Sequence, residues 1–222
     1  MSLNELHKKL HKHLDEQAQN WKSFIYAQEK GFYQGFEELE IDGWRPSKKR
    51  LNSYEINEYL SQEKVALDIG SNCGFFSLCV SKFVKQIDGV EINPYLINIA
   101  NDVKQYLKRT NATFFNNSFE DFNTEKNYDV IFSLANDSTI DKNTKFNFYE
   151  YLDKILLLLK EDGLLIFESQ AIDVLRKSQF DEKFNILKLH FDVLKNTMVN
   201  SEYPVNVPQR FFLVLQRKKL RK

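Results

Sequence analysis

Val65-Ala66-Leu67-Asp68-Ile69-Gly70-Ser71-Asn72-Cys73-Gly74-Phe75-Phe76-Ser77 is the stretch that decides how this chain folds. A short apolar run ends in an acid, a glycine turn follows, and an amphipathic segment begins at once: strand, tight loop, helix. Gly70 and Gly74 let the backbone turn sharply and approach a ligand, and a helix starting near Gly74 offers unpaired N–H groups over the loop. A dinucleotide loop wants G-x-G-x-x-G to cradle a pyrophosphate. Here Asn72 and Phe75 stand where the second and third glycines would be. The spacing is instead G-x-x-x-G behind Asp68, and a carboxylate beside the loop repels pyrophosphate but suits an ammonium group or a ribose. Gln86-Ile87-Asp88-Gly89-Val90-Glu91-Ile92-Asn93-Pro94 reads as a second strand ending in Glu91. That acid falls about 20 residues past the loop, where it can accept hydrogen bonds from both ribose hydroxyls. The pair of stretches therefore favours a zwitterionic nucleoside over a phosphate ester.

Together, residues 68–74 and 89–94 resemble the first two motifs of class I S-adenosylmethionine-dependent methyltransferases, and the resemblance runs over residues 64–222. It implies an α/β, Rossmann-like fold: a seven-stranded, mostly parallel sheet with one antiparallel strand and helices on both faces. Residues 1–63 would form a helical, aromatic cap on this core, the whole being one domain. S-adenosylmethionine is the implied cofactor and S-adenosylhomocysteine the product. Residues 35–46 and the core that follows are similar to small bacterial methyltransferases of glycan and secondary-metabolite pathways. A more distant similarity is to enzymes that modify wobble uridine in tRNA.

By this resemblance Asp68, Gly70, Ser71, Asn72, Cys73, Gly74 and Phe75 lie against the methionine part of the cofactor. Glu91 takes the ribose, Ile92 covers an adenine face, and Ser133 at the end of a later strand completes the set. Many relatives carry an acid for the adenine amino group where this chain has Ser118 and Phe119, so a hydroxyl, the backbone and an aromatic contact would hold the base.

Lys plus Arg and Asp plus Glu each number 31, so no global field draws the chain to nucleic acid or an acidic membrane. No apolar run reaches the roughly 18 residues of a membrane span, and the polar N-terminus is unlike a signal peptide. Cys73 and Cys79 fall in the loop and the helix after it, which argues against a structural disulfide and for a reducing cytoplasm. No His or Cys cluster points to a metal: His7 and His11 are four apart on a helix but lack a third ligand, and with His13 they read as surface residues.

Along the chain, apolar residues from Leu6 to Ile25 recur at helical spacing, which predicts an amphipathic helix over residues 3–30. Residues 31–53 read as a loop or short hairpin, with a helix over 54–60. Strands are expected at 65–69, 86–92, 112–116, 128–134 and 164–168, with helices at 75–84, from Pro94 to about Leu107, at 148–159 and near 172–177. Residues 184–194 and 210–216 look like two late strands forming a hairpin, which would make the sheet mixed.

Methyl transfer from a sulfonium is an in-line displacement, so the protein must align the nucleophile, exclude water and, for a hydroxyl, take a proton. The acceptor-side loop, residues 133–141, lacks the Asp/Asn-Pro-Pro-aromatic signature of enzymes that methylate nucleic-acid amino groups. Asp137 is the candidate general base, with Asn136 beside it and Asp141, Glu168 and Gln170 as substrate ligands; Asp137 or Asp141 could equally cap the following helix. Trp44, Arg45, Arg50 and Tyr54 are candidates for lid or substrate recognition, the arginines suiting a carboxylate or phosphate. The expected activity is O-methylation of a small polar metabolite or sugar. Two alternatives remain: a tRNA or rRNA modifier, suggested by basic residues at 48–50 and 217–222, and a non-catalytic cofactor-binding partner. Oligomeric state is not readable.

Overall fold

The computed structural model describes residues 1–27, 31–138 and 144–219. The chain opens with helix α1 (Leu3–Asn20), started by a reciprocal Ser2–Glu5 capping box. Leu6, Leu10 and Leu14 recur one turn apart and are buried against the core, each apolar side chain contributing roughly 1.5–3 kcal/mol. His7 bonds the Leu39 carbonyl and His13 the Asp102 carboxylate, at 2.8 Å each, which fastens the exposed flank of α1. The helix ends ten residues before the expected boundary, and residues 21–27 run without regular structure.

Residues 31–53 hold two short parallel strands, β1 (Phe32–Gly35) and β2 (Gly43–Pro46), instead of a hairpin. Gly43 is required there, because a Cβ would sit 2.3 Å from the Gln34 carbonyl carbon. Helix α2 (Ser47–Tyr54) follows, about two turns earlier than the helix expected at 54–60. The extended Pro46 stops β2 and precedes the first helical turn.

The core begins with β3 (Val65–Ile69), α3 (Phe75–Val80), β4 (Gln86–Glu91), α4 (Pro94–Tyr106) and β5 (Ala112–Asn116). It continues through β6 (Tyr128–Leu134), α5 (Phe148–Leu158), β7 (Leu159–Glu168), α6 (Ala171–Leu175), α7 (Lys177–His190), β8 (Phe191–Asn200) and β9 (Gln209–Arg217). Seven strands form one sheet in the order β5-β4-β3-β6-β7-β9-β8, in which only β9 runs antiparallel to its neighbours. This is the expected architecture. Residues 184–190, expected as strand, are the end of α7, and the edge strand starts only at Phe191.

Alternation along the strands divides the core into two layers. Ala66, Phe132, Ile166 and Val214 face α1 to α4, while Leu67, Ile131, Phe167 and Leu213 face α5 and α7. The chain moves outward from β3 through β4 to β5, then returns to pair β6 on the other side of β3. The sheet therefore has its switch point between β3 and β6, where open α/β sheets leave a crevice beyond the strand ends. Among the described residues no helix is long and apolar enough to cross a membrane.

Candidate active site

The crevice opens at that switch point. Its wall is built first by the loop after β3, where Gly70, Asn72 and Gly74 all take positive φ values of 66°, 54° and 70°. Gly74 admits no side chain, because a Cβ would lie 2.6 Å from the Phe114 ring and 2.8 Å from the Ala100 Cβ. Ser71 N–H donates to the Val90 carbonyl at 2.9 Å, and Asn72 N–H donates to a Glu91 carboxylate oxygen at 3.0 Å. The other Glu91 oxygen accepts from Asn93 N–H at 2.9 Å. Glu91 thus spans the ends of β3 and β4 and fixes the loop.

Gly70, Asn72, Glu91, Ile92, Ser118, Phe119, Asn136 and Arg50 come together as lining of one cleft. Several other sequence candidates lie behind it. Asp68 is 3% exposed and accepts a hydrogen bond from the Ser77 hydroxyl at 2.5 Å. Burial raises its carboxyl to about 6, against the opposing effects of Ser77 and Arg50. It braces α3 from below and is not among the lining residues. Phe75 is likewise buried, stacked on Phe36 with ring centroids 5.2 Å apart, and its N–H is taken by the Gln34 side chain at 3.0 Å. The start of α3 is therefore closed by β1, which corrects the expectation of a free helix terminus at Phe75. Ser71 and Gly74 act through backbone geometry, and Cys73 borders a smaller neighbouring pocket with Trp21, Tyr26 and Tyr33.

Asn136 projects under the Gly70 turn, where its amide donates to the Ile69 carbonyl. Its carbonyl oxygen accepts from the Ser133 and Tyr151 hydroxyls at 3.1 and 2.8 Å. Ser133 is fully buried in this network, so it positions Asn136 from behind the cleft. Asp137 departs from expectation more sharply. It is buried, and one oxygen binds the Lys183 ammonium at 2.6 Å, while Asp173 binds the same lysine at 2.8 Å. Although burial works against its charge, the two carboxylates hold Lys183 above its usual range. Burial raises the Asp137 carboxyl in spite of Lys183, but its place in this ion pair, outside the cleft lining, sets it apart from the acceptor side expected of a general base. Gln170 is also diverted, its amide donating to the Ala135 and Ser138 carbonyls. Asp141 lies outside the described residues.

The basic residues of the extension turn inward. Arg45 is 1% exposed and Arg50 6%, and both reach Glu168 at the end of β7, at 2.8 and 3.1 Å. The Tyr54 hydroxyl donates to the same carboxylate. Burial alone would raise Glu168, but Arg45, Arg50, Tyr54 and Arg210 outweigh it and hold the group at about 2. Arg50 alone of this set lines the cleft. Trp44 packs edge-on against Tyr203, ring centroids 4.4 Å apart, beside the cleft.

Sequence reasoning missed Tyr26, Tyr33, Gln34, Glu120 and Tyr151, all of which line the cleft. The signal for Gln34 is faint: a polar residue between Phe32 and Phe36 in a segment otherwise read as a loop. Glu120 accepts from the N–H groups of Lys145 and Phe146 at 2.8 and 3.3 Å, so it joins the loops after β5 and β6.

A model of the methyltransferase domain family matches residues 60–208. The chain belongs to this family. A protein of Methanocaldococcus jannaschii named "Putative protein N5-glutamine methyltransferase MJ0928" is 30% identical over 141 residues, which is 58% of this chain and 69% of that one. The fold is similar to the N-methyltransferase NodS of Bradyrhizobium japonicum bound to S-adenosylhomocysteine, with a TM-score of 0.64 at 14% identity, covering 96% of this chain and 99% of NodS. An rRNA methylase of Streptococcus thermophilus superposes with a TM-score of 0.56 at 13% identity, over 76% and 95% of the two chains.

S-adenosylmethionine is the cofactor of the class I methyltransferase family, and the residues present fit it. Gly70 keeps the loop backbone without a side chain, and the three atoms nearest to where a Cβ would stand all belong to the Asn136 side chain, at 3.1 to 3.7 Å. Glu91 offers acceptors at the cleft wall beside the apolar Ile92 and Phe119. The buried Asn72 carbonyl oxygen lacks a hydrogen-bond partner among the described residues.

Proposed function

We propose that this methyltransferase moves a methyl group from S-adenosylmethionine to an oxygen of a small polar metabolite or sugar. The observation that carries the reading is the cleft at the sheet's switch point, lined by Gly70, Glu91 and Ile92 of the core and by Tyr26 and Tyr33 of the extension. Bound S-adenosylmethionine supplies an electrophilic methyl on a sulfonium. The chain's part is to hold the nucleoside through Glu91, Ile92, Ser118 and Phe119. It also keeps the Gly70–Asn136 seam rigid and covers the acceptor side with the aromatic extension to exclude water.

Among the described residues, several of the basic side chains that suggested RNA are paired with acids. Arg50 is buried on Glu168, Lys49 pairs with Glu202 at 2.9 Å, and Lys219 pairs with Asp162 at 2.9 Å. This supports a small acceptor over a nucleic-acid backbone, which would need exposed, unneutralised cations. The test is transfer of labelled methyl from S-adenosylmethionine to panels of sugars, small polar metabolites and RNA. Label in a small-molecule product is the expected result, and label only in RNA would overturn the acceptor assignment.

A further inference from the structure

Behind the acceptor side of the cleft the described residues bury more positive than negative charge. Arg45, Arg50 and Arg210 are 1%, 6% and 3% exposed, and Glu168 is the carboxylate they share. Asp68 is the next acid within reach of Arg50. Even counting both acids, three guanidinium groups face two carboxylates. Arg210 spends its two terminal nitrogens on the Ser169 and Tyr203 carbonyls, at 3.0 and 2.9 Å, so it is held by neutral oxygens. Burial first, and then repulsion from Arg45 and Arg50, lowers Arg210 below the usual arginine value in spite of Glu168. The Nε atoms of Arg45 and Arg210 are buried without a hydrogen-bond partner among the described residues. A cluster of this kind is short of one anion.

The cleft supplies the approach. Arg50 and Tyr33 line it, and Arg50 bonds Tyr54, Glu168 and Leu134 through Nε and one terminal nitrogen, Nη2. Its second terminal nitrogen, Nη1, makes no hydrogen bond among the described residues. Tyr33, which shares the cleft lining with Arg50, meets Tyr203 edge-on at 5.9 Å, and Trp44 packs edge-on against the same Tyr203 at 4.4 Å. A neutral acceptor would bring no counterion to the arginine cluster behind Arg50.

We propose that the methyl acceptor carries an oxyanion, a carboxylate or phosphate group, that docks on Arg50 at the Tyr33 side of the cleft, with Arg45 and Arg210 supplying charge behind it. This rests on the transferase reading above and specifies its substrate class. The burial of the cluster restricts it to an end group that can enter a cleft, as a small molecule can.

The test uses the full chain saturated with S-adenosylhomocysteine and follows thermal unfolding while acetate, inorganic phosphate or chloride is added at equal ionic strength. Acetate or phosphate is expected to raise the transition above the chloride control, and the stronger of the two identifies the anion. Arg50→Gln should weaken the apparent anion affinity about tenfold or more and Arg50→Lys should restore part of it, both with the S-adenosylhomocysteine Kd changed less than threefold. Wild type that binds S-adenosylhomocysteine but responds to acetate and phosphate as it does to chloride overturns the inference alone. An equal anion response in Arg50→Gln does the same. So does a tenfold loss of S-adenosylhomocysteine affinity in Arg50→Gln with 5′-methylthioadenosine affinity intact, because Arg50 would then serve the cofactor's own carboxylate. Wild type that binds no S-adenosylhomocysteine contradicts the transferase reading itself.

Discussion

Replacing Glu168 by Gln removes one charge from the centre of the acceptor side while keeping its shape. Glu168 is fully buried, held by Arg45, Arg50 and Tyr54, and its carboxyl lies at about 2 in the folded protein against 4.5 for an unperturbed glutamate. That depression corresponds to about 3 kcal/mol of stability, at 1.36 kcal/mol per unit. Because the folded value is the lower one, the contribution is complete above about pH 4.5 and drains away as pH falls toward 2. Glu168→Gln should therefore lose about 3 kcal/mol at pH 7, or roughly 6–12 °C in Tm for a chain of this size. Urea unfolding of both proteins at pH 7 and pH 3 reads the difference directly. The gap should shrink to about 1–1.5 kcal/mol at pH 3, where the carboxylate of the unfolded wild type has taken up its proton while the folded one stays mostly ionised. A variant within 0.5 kcal/mol of wild type at pH 7, or a gap that does not narrow at pH 3, would refute the buried-charge account.

Asp68 carries the opposite sign. Its folded value of about 6 lies above the unperturbed 3.8, so its effect costs stability increasingly from about pH 4 to 6 and fully above that. Asp68→Asn should raise stability at pH 7 by about 1–3 kcal/mol, as measured by denaturant unfolding. Asp137→Ala leaves Lys183 with Asp173 alone and should cost about 3 kcal/mol, with calorimetric affinity for S-adenosylhomocysteine unchanged within threefold; a folded variant that binds but loses all turnover would reinstate Asp137 as a base. Gly74→Ala forces a Cβ into Phe114 and Ala100 at a φ of 70°, and the expected loss of about 2 kcal/mol or more can be read from the shift in the urea midpoint.

The sheet was legible because its central strands are continuous apolar runs punctuated by glycine and acid, as at Val65–Ile69 and Tyr128–Leu134. Edge elements were less so. Residues 184–190 carry apolar residues at spacings that suit a strand as well as a helix, and α7 buries only Phe180, Ile186 and Leu187, which leaves a weak helical stripe. The edge strand β8 is mostly exposed and rich in polar residues, so only its first residues, 191–194, fell within the expected strand.

At the site, the glycine loop and Glu91 were readable because backbone geometry demands those residue types. Asp68 and Asp137 were not, since one sequence cannot tell an acid facing a cleft from one facing a buried serine or lysine. The basic run at residues 48–50 divides between core and surface in a way one sequence does not reveal. The buried face of α2 is Ser47, Arg50, Leu51 and Tyr54, a helical spacing that takes one arginine of the run into the core and leaves both lysines outside.

The most direct measurement is a calorimetric titration of wild type and Glu91→Ala with S-adenosylhomocysteine, with thermal unfolding to confirm that both are folded. The account predicts one-to-one binding by wild type and a loss of about 1.4 kcal/mol, close to tenfold in Kd, in the variant, on the scale of hydrogen bonds to a charged group. Folded wild type that binds no S-adenosylhomocysteine, or a folded variant that binds it equally well, would contradict the assignment of this cleft.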